Sequence, residues 1–123
     1  MLTPEELVRQ SFIFYLMEEL QYPRGMIEVE REVRTGQKRN RSDIRVLQPD
    51  GSCFMLIECK SFKTRINQQV FDQAAKYAGQ LEARYLVTTN GVTTYCCEVD
   101  HQSRSTAFLD AIPGYRQLNS DNH

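Results

Sequence analysis

One short segment restricts the fold of this sequence more than any other: residues 53–60, C-F-M-L-I-E-C-K. Its apolar stretch has the length and character of a buried strand, and the segment ends in Glu58 and Lys60. Charged side chains at the end of a buried strand are costly unless something there uses them. The segment therefore predicts a central strand with a functional site at its end.

The residues before this segment predict its hairpin partner. Residues 42–48, S-D-I-R-V-L-Q, have the composition of a strand, and P-D-G-S at 49–52 predicts a turn, because Asp-Gly is a strong hairpin signal. The turn is built either on Asp50 and Gly51 alone or on all four residues, and both versions give the same register. That register pairs Gln48 with Cys53, Val46 with Met55, and Asp43 with Glu58.

The register makes Asp43 and Glu58 direct cross-strand neighbours, with Cβ atoms about 4.5–5.5 Å apart. Two carboxylates so placed repel each other, and either a divalent cation or protonation of one carboxyl group relieves that repulsion. Strand alternation places Lys60 on the same face as Glu58. Two acids that hold Mg²⁺ (or Mn²⁺ as a substitute) and an ammonium that orients water suit metal-assisted phosphodiester hydrolysis. An exposed strand end with a simple Lys60–Glu58 ion pair is the structural alternative.

Two helices are predicted around the hairpin. Thr3, Pro4 and Glu6 provide a capping box with proline at the first helical position, and this helix ends before Pro23. Its apolar stripe consists of Leu7, Val8, Phe12, Tyr15, Leu16 and Leu20. The second helix follows the hairpin at residues 67–81, and its packing side consists of Val70, Phe71, Ala74, Ala75 and Ala78.

The remaining segments complete a single α/β domain. Residues 26–33 alternate apolar and charged side chains as a half-exposed strand does, residues 83–90 and 92–99 form two further strands, and residues 106–113 are expected to form a short helix. The predicted order is α-β-β-β-α-β-β, with a central mixed sheet flanked by helices. We expect one domain over residues 1–123, with a core at about 3–100 and a frayed tail at 117–123.

Composition and charge restrict the class of protein. The chain has 123 residues, a net charge of −1 and no apolar run that could span a membrane, and it begins with acids where a signal peptide is basic. We therefore expect a cytoplasmic protein without a membrane segment, whose four cysteines are packed and reduced. Residues 31–65 nevertheless hold nine basic residues against four acidic ones. This patch is either a solvated loop or a surface that faces phosphates.

The residues of the hairpin carry a family resemblance. S-D-I-R-V and L-I-E-C-K look like the D…E-x-K core of the PD-(D/E)xK nuclease superfamily, which has a restriction-endonuclease-like fold. The sequence resembles more closely the N-terminal nuclease domain of type I restriction enzyme R subunits. This resemblance covers about residues 3–100, through T-P-E-E-L-V-R-Q, Y-L-M-E-E-L-Q-Y-P, R-S-D-I-R-V, I-E-C-K, F-D-Q-A-A-K-Y and A-R-Y-L-V-T-T-N-G.

The resemblance implies a role for several residues. Asp43, Glu58 and Lys60 would be catalytic, and Asp43, Glu58 and the backbone carbonyl of Cys59 would bind the metal. Gln73 and Tyr77 match a Q-x-x-x-Y motif with a supporting role, although a polar helix face would show the same residues. The residues that would grip a DNA backbone by charge are Arg39, Arg41, Lys63 and Arg65.

The chain also departs from the family pattern. Relatives carry an acid at the position of Ser11, which leaves Glu6, Glu18 and Glu19 as the first-helix acids that could extend the metal site. No G-x-x-x-x-G-K-[ST] phosphate loop is present, so we expect any ATP-driven motor to belong to other restriction-modification subunits. A homo-oligomer is compatible with the sequence. The alternative to a nuclease is a non-catalytic nucleic-acid-binding or assembly module that retains the fold.

Overall fold

The computed structural model describes residues 2–31 and 42–116 of the chain. Two α-helices are present in these residues, α1 (Pro4–Glu18) and α2 (Gln68–Leu81), together with a short 3-10 helix at Arg24–Met26. The strands are β1 (Ile27–Arg31), β2 (Ser42–Leu47), β3 (Cys53–Cys59), β4 (Tyr85–Thr89), β5 (Thr94–Asp100) and β6 (Ser105–Leu109). Arg39, Arg41 and the predicted tail at 117–123 lie outside the described residues.

The six strands form one mixed sheet in the order β1-β2-β3-β4-β5-β6. The pairing of β3 with β4 is parallel and the other four pairings are antiparallel. Helix α2 connects the two parallel strands, as a parallel connection requires a crossover. The structure thus confirms the predicted mixed α/β fold with a central sheet.

The end of the sheet differs from the sequence prediction. Residues 106–113 were expected to form a short helix, but Ser105–Leu109 form β6, which pairs with β5 from Cys96↔Leu109 to Asp100↔Ser105. The free edge of β5 provides hydrogen bonds that a short isolated helix does not have. The prediction was wrong because this pairing depends on tertiary structure and not on local propensity.

The β2–β3 hairpin keeps the predicted register at the site but not at the turn. Asp43 pairs with Glu58 and Val46 with Met55, whereas Leu47 pairs with Cys53 across a register shift. The N–H of Gly51 donates to the carbonyl of Gln48 at 2.8 Å, and Gly51 has a φ of 88°. The turn is therefore centred on Pro49 and Asp50, and the predicted Gln48–Cys53 pair does not form.

A β-bulge accounts for this shift. Phe54 is the extra residue of β3, and it is buried at 1% exposure. Its ring packs against the ring of Tyr85, with centroids 5.1 Å apart and planes at 64°. A bulge changes the direction in which a side chain points. Here it places Phe54 on the same face of the sheet as its neighbour Met55, in the apolar layer that contains residues of α1.

The sheet separates two apolar layers. On one face, Val8, Phe12 and Leu16 of α1 pack against residues such as Ile57 and Val87. Leu7 and Tyr15, which the sequence placed in the α1 stripe, are 45% and 37% exposed.

On the other face of the sheet, Ala74 and Ala78 of α2 pack against Leu56, Leu86 and Cys97. The small alanine side chains let α2 lie close to the sheet. Side chains of β2 and β3 that point to this face therefore lie under or beside α2. No helix in the described residues is long and apolar enough to cross a membrane.

Two glycine substitutions should change stability in opposite directions. A Cβ at Gly51 or at Gly79 of α2 would meet no atom within 4 Å, so backbone conformation alone decides the outcome. We expect Gly51→Ala to cost about 1 kcal/mol because of its left-handed backbone. Gly79→Ala should stabilise by about 0.5–1 kcal/mol, since alanine favours a helix. Urea unfolding of both variants tests this, and a loss of stability in both would contradict it.

The four cysteines should be protected from thiol reagents in the native protein. All four are free and buried. Burial raises the pKa of the Cys53 and Cys97 thiols to about 11, and that of Cys96 to about 12. At pH 8 an aromatic disulfide reagent should thus react far more slowly with native than with unfolded protein. Rapid reaction of all four native thiols would contradict this packing.

The same pKa shifts give stability a dependence on alkaline pH. The unfolded thiols, with a pKa near 9.0, lose protons before the folded ones do. The contribution to stability is therefore fully present below pH 9 and decreases as the pH rises towards about 11. Urea midpoints measured from pH 8 to pH 11 should fall across this interval.

Candidate functional site

A row of polar side chains crosses the sheet on the face that α2 covers. Asp43 of β2 pairs with Glu58 of β3, and Glu58 pairs with Thr88 of β4. All three are buried, with exposures of 0%, 6% and 0%. Paired residues in adjacent strands point to the same face, so their side chains are neighbours. Finding both carboxylates on one face excludes the arrangement in which they point to opposite sides of the sheet.

Glu58 has unused hydrogen-bonding capacity. Its Oε2 atom is buried and has no hydrogen-bond partner among the described residues, and the same is true of Oγ1 of Thr88. Buried polar atoms without partners are uncommon in folded proteins and are typical of sites that receive a ligand, an ion or a water molecule. The row therefore has the polar atoms of a binding site.

Lys60 follows β3 and lies beside this row. Its backbone N–H donates to the carbonyl of Thr89 at 2.8 Å, which fixes the chain just after the strand ends. Its Nζ atom lies 3.6 Å from Oε1 of Glu58, and its side chain is 29% exposed. This distance is an ion pair but too long for a good hydrogen bond. The ammonium is therefore held near the carboxylate while remaining accessible to water or a substrate.

Arg45 connects this face of β2 to helix α2. Its Nη2 atom donates to the hydroxyl of Tyr77 at 2.7 Å, and its Nη1 atom lies 3.6 Å from Oε1 of Glu28 on β1. Arg45 is two residues after Asp43, so both side chains lie on the same face of the sheet. Tyr77 is therefore fixed close to the carboxylate row by an arginine.

The other residues predicted for the site are less closely placed. Gln73 lies one turn before Tyr77 and is exposed, and no hydrogen bond in the described residues joins it to the carboxylates. Lys63 and Arg65 are exposed in the loop between β3 and α2. Both precede the α2 N-terminus, on the side where β3 ends, which places them at the same end of the sheet as Lys60.

The side chain of Cys59 does not belong to the polar row. It is buried in the layer that faces α1, because it alternates with Glu58 and Lys60 along the chain. Burial, followed by the charges of Asp43 and Glu58, raises the pKa of its thiol far above the usual range. Only the backbone of Cys59, at the end of β3, lies beside the carboxylates. This is compatible with the carbonyl ligand that the sequence resemblance implies.

Two of the three acids predicted in the first helix lie far from the row. Val8, near the start of α1, lines a cavity with Thr89, so this end of the helix lies near the end of β3. Glu18 and Glu19 are at the opposite end of α1, where Glu19 lines a separate cavity with Tyr115. Glu18 and Glu19 therefore lie at the end of α1 that is farther from the end of β3.

Glu6 is at the near end of α1, but it has another partner. It forms an ion pair with Arg9, whose side chain is buried, and Nε of Arg9 donates to Oε1 of Glu6 at 3.0 Å. Its backbone N–H donates to Oγ1 of Thr3 at 3.1 Å, as the predicted helix cap requires. These contacts show a structural role for Glu6.

The donor set fits Mg²⁺ in its chemistry. Asp43 and Glu58 provide hard carboxylate oxygens, and Mg²⁺ is commonly held by one or two carboxylates with water and substrate completing its octahedron. The unpartnered Oε2 of Glu58 is an available ligand atom. In the described residues, no cluster of three or more Asp, Glu, His or Cys side chains could hold a metal ion. The site therefore offers a pair of acidic ligands.

Sequence reasoning missed Arg45 and Thr88. Arg45 had a readable signal, because it follows Asp43 by two residues in S-D-I-R-V and so shares its face. Thr88 had none, since its position beside Glu58 depends on the parallel pairing of β3 with β4. A crossover connection does not fix register in the way that a tight turn does.

A known structure shares this fold. A fragment of a putative HsdR subunit of a type I restriction enzyme from Vibrio vulnificus YJ016 has a TM-score of 0.58 and 16% sequence identity. The match covers 98% of this chain and 26% of that one, so this chain spans about a quarter of the length of its structural relative. At this identity the likeness concerns the fold. No curated protein sequence matches the chain.

The sequence family provides the stronger relationship. The family described as Type I restriction enzyme R protein N terminus (HSDR_N) matches residues 4–113. This match includes both helices, all six strands and every described residue of the polar row. The chain belongs to the family of type I restriction enzyme R protein N-terminal domains.

Proposed function

We propose that this chain is a Mg²⁺-dependent nuclease with a PD-(D/E)xK site that hydrolyses phosphodiester bonds in DNA. The observation that carries the proposal is the buried cross-strand pair of Asp43 and Glu58, with the ammonium of Lys60 3.6 Å from Glu58. Membership of the restriction enzyme R protein family supports DNA as the substrate. Mn²⁺ would substitute for Mg²⁺, since it also prefers oxygen ligands.

The residues of the carboxylate row would have different roles in hydrolysis. Asp43 and Glu58 would hold the cation, with the Cys59 carbonyl as an additional ligand, and the bound cation would provide Lewis-acid stabilisation of charge on the phosphate. Lys60 would orient the attacking water by a hydrogen bond and offset negative charge that develops in the transition state. Water would add to phosphorus and lose a proton to the solvent, the P–O ester bond would break, and the departing alkoxide would take up a proton from the solvent.

Arg45 and Tyr77 would act as positioning residues. The hydrogen bond between them joins β2 to α2 next to the carboxylate row, and Arg45 also reaches Glu28 of β1. A rigid second layer of contacts keeps catalytic groups within a few tenths of an ångström of their working positions. Gln73, which is exposed one turn away, would contact a DNA phosphate or the water structure near the cation.

Basic residues outside the row would bind the DNA backbone. Lys63 and Arg65 are exposed and, within the described part of the chain, neither takes part in an ion pair. Contacts of this kind provide affinity without base recognition. Sequence recognition and any ATP-driven movement along DNA would come from restriction-modification subunits that assemble with this domain.

The alternative function is a nucleic-acid-binding or assembly module without catalysis. The observation that favours it is that the acidic cluster is a pair and not a group of three within the described residues. Metal binding separates the two functions, because a non-catalytic module has no need of a cation at Asp43 and Glu58.

Removing a residue of the row should abolish cleavage. We expect Asp43→Asn to reduce Mg²⁺-dependent cleavage of plasmid and linear DNA at least about 100-fold, since the cation supplies several kcal/mol of transition-state stabilisation. Lys60→Ala should reduce it by about 100-fold through loss of an electrostatic donor. Asp110→Asn and Lys76→Ala remove the same charges from exposed positions and should cleave like the wild type. Equal cleavage by all five proteins would eliminate the proposed site.

Metal binding should be visible without any cleavage assay. A ligand that binds only the folded protein at 100 times its Kd stabilises it by about 2.7 kcal/mol, so saturating Mg²⁺ or Mn²⁺ should raise the wild-type melting temperature by several degrees. Asp110→Asn should respond like the wild type, and Asp43→Asn should not respond. A wild-type protein that ignores both cations in thermal unfolding and calorimetry would favour the non-catalytic module.

A further inference from the structure

Three aromatic rings form an exposed cluster on the α2 side of the sheet. Phe71 of α2 and Phe108 of β6 have centroids 5.3 Å apart with planes at 35°, and Tyr95 of β5 lies 6.2 Å from Phe108 at 68°. Phe108 is 63% exposed and Tyr95 is 41% exposed. Large aromatic side chains normally bury most of their surface, so a cluster that stays open to solvent indicates a binding surface.

The cluster borders a cavity of about 240 Å³ that also has polar groups in its wall. Ile66, Asn67 and Gln68 complete the lining. Asn67 accepts a hydrogen bond from the N–H of Val70 through Oδ1, which leaves its amide N–H groups available to a ligand. Flat aromatic faces beside an amide provide the two kinds of contact that a nucleobase makes, stacking on its face and hydrogen bonding at its edge.

The cluster lies in line with the carboxylate row. Tyr95 pairs with Thr88, and Thr88 pairs with Glu58, so the three side chains follow one another across β5, β4 and β3 on the same face. Neighbouring strands are about 4.8 Å apart, which places Tyr95 about 10 Å from Glu58. A strand of nucleic acid spans that distance within a few nucleotides, since its rise is about 3.4 Å per nucleotide even when stacked.

The loop between β3 and α2, which connects the carboxylate row with the aromatic cluster, is basic. Lys63 and Arg65 precede Ile66 and Asn67, which line the cavity. A polyanion that passed from the carboxylate row to the aromatic cluster would lie along this loop. This charge favours a nucleic-acid strand over an uncharged protein surface as the occupant of the cluster.

We propose that Phe71, Tyr95 and Phe108 form a stacking platform for an unpaired base of the strand whose phosphodiester lies at Asp43 and Glu58. The proposal rests on the proposed function and deepens it by naming the substrate class. A base inside a duplex has both faces covered by its neighbours, so an internal base must be unpaired before it can stack on protein rings. The preferred substrate would have a single-stranded region, such as a frayed end, a flap or a gap.

Binding without catalysis tests the platform. Affinities for a fluorescent single-stranded 12-mer and for a blunt duplex of the same sequence are measured by anisotropy in EDTA. We expect the wild type to bind the single strand more tightly. Phe108→Leu, which retains an apolar side chain without a ring, should weaken single-strand binding at least about fivefold, and Phe108→Trp should retain it. Phe14→Ala removes an aromatic ring that is 67% exposed on α1 and should have no effect.

The outcomes separate this inference from the proposed function. The platform is supported if Phe108→Leu loses single-strand affinity and keeps its duplex affinity, while Phe108→Trp and Phe14→Ala bind like the wild type. This holds whether or not the wild type cleaves DNA. Unchanged affinity in Phe108→Leu would overturn the platform even if Mg²⁺-dependent cleavage is present. An equal loss for both substrates would also overturn it, because the platform predicts that removing the Phe108 ring weakens binding to the single strand much more than binding to a duplex, whose bases are paired. A shift of Phe108→Leu in oligomeric state without any change in affinity would assign the cluster to protein contacts instead.

Discussion

The structure depends on one electrostatic conflict in the middle of its sheet: the carboxylates of Asp43 and Glu58 are direct cross-strand neighbours and both are buried. A sheet normally avoids like charges in this position, since each must be removed from water and then repels the other. The surrounding apolar layers hold the pair in place, because shifting the register by one residue would move each core side chain of β3 into the opposite layer and Glu58 into the apolar layer beneath α1. The fold therefore holds two buried carboxylates side by side, with the ammonium of Lys60 3.6 Å from Glu58.

Side-chain contacts on the same face of the sheet connect the strands and helix α2 that surround the carboxylate pair. Arg45 joins Glu28 of β1 to Tyr77 of α2, so three elements are connected beside the carboxylate row. The other end of the row is open, and leads through Thr88 to the exposed rings near Tyr95. One face of the sheet thus has a buried, charged part and an exposed, aromatic part, which in our proposal would hold a cation with a phosphate and an unpaired base.

Local sequence signals predicted those parts of the structure that depend on neighbouring residues. The capping box at Thr3 starts α1, the apolar pattern at 67–81 matches α2, and the Asp50-Gly51 signal lies in the turn that joins β2 to β3. The bulge at Phe54 could not be foreseen, because it follows from a ring contact with Tyr85, 31 positions further along the chain. For the same reason β6 was taken for a helix, since its strand character depends on the edge of β5.

The sequence by itself determined the identity of the charged residues and the hairpin that places Asp43 and Glu58 on adjacent strands. The register at the turn pairs Leu47 with Cys53, and the bulge at Phe54 restores the pairing of Asp43 with Glu58. Only the tertiary structure decided which side chains surround that pair. The parallel pairing of β3 with β4 brought Thr88 beside Glu58, and the packing of α2 on the sheet brought Tyr77 to Arg45. It also brought Phe71 to Phe108, which are far apart in the chain. Contacts across a crossover or between layers depend on the packing of the whole core, and no local pattern in the sequence encodes them.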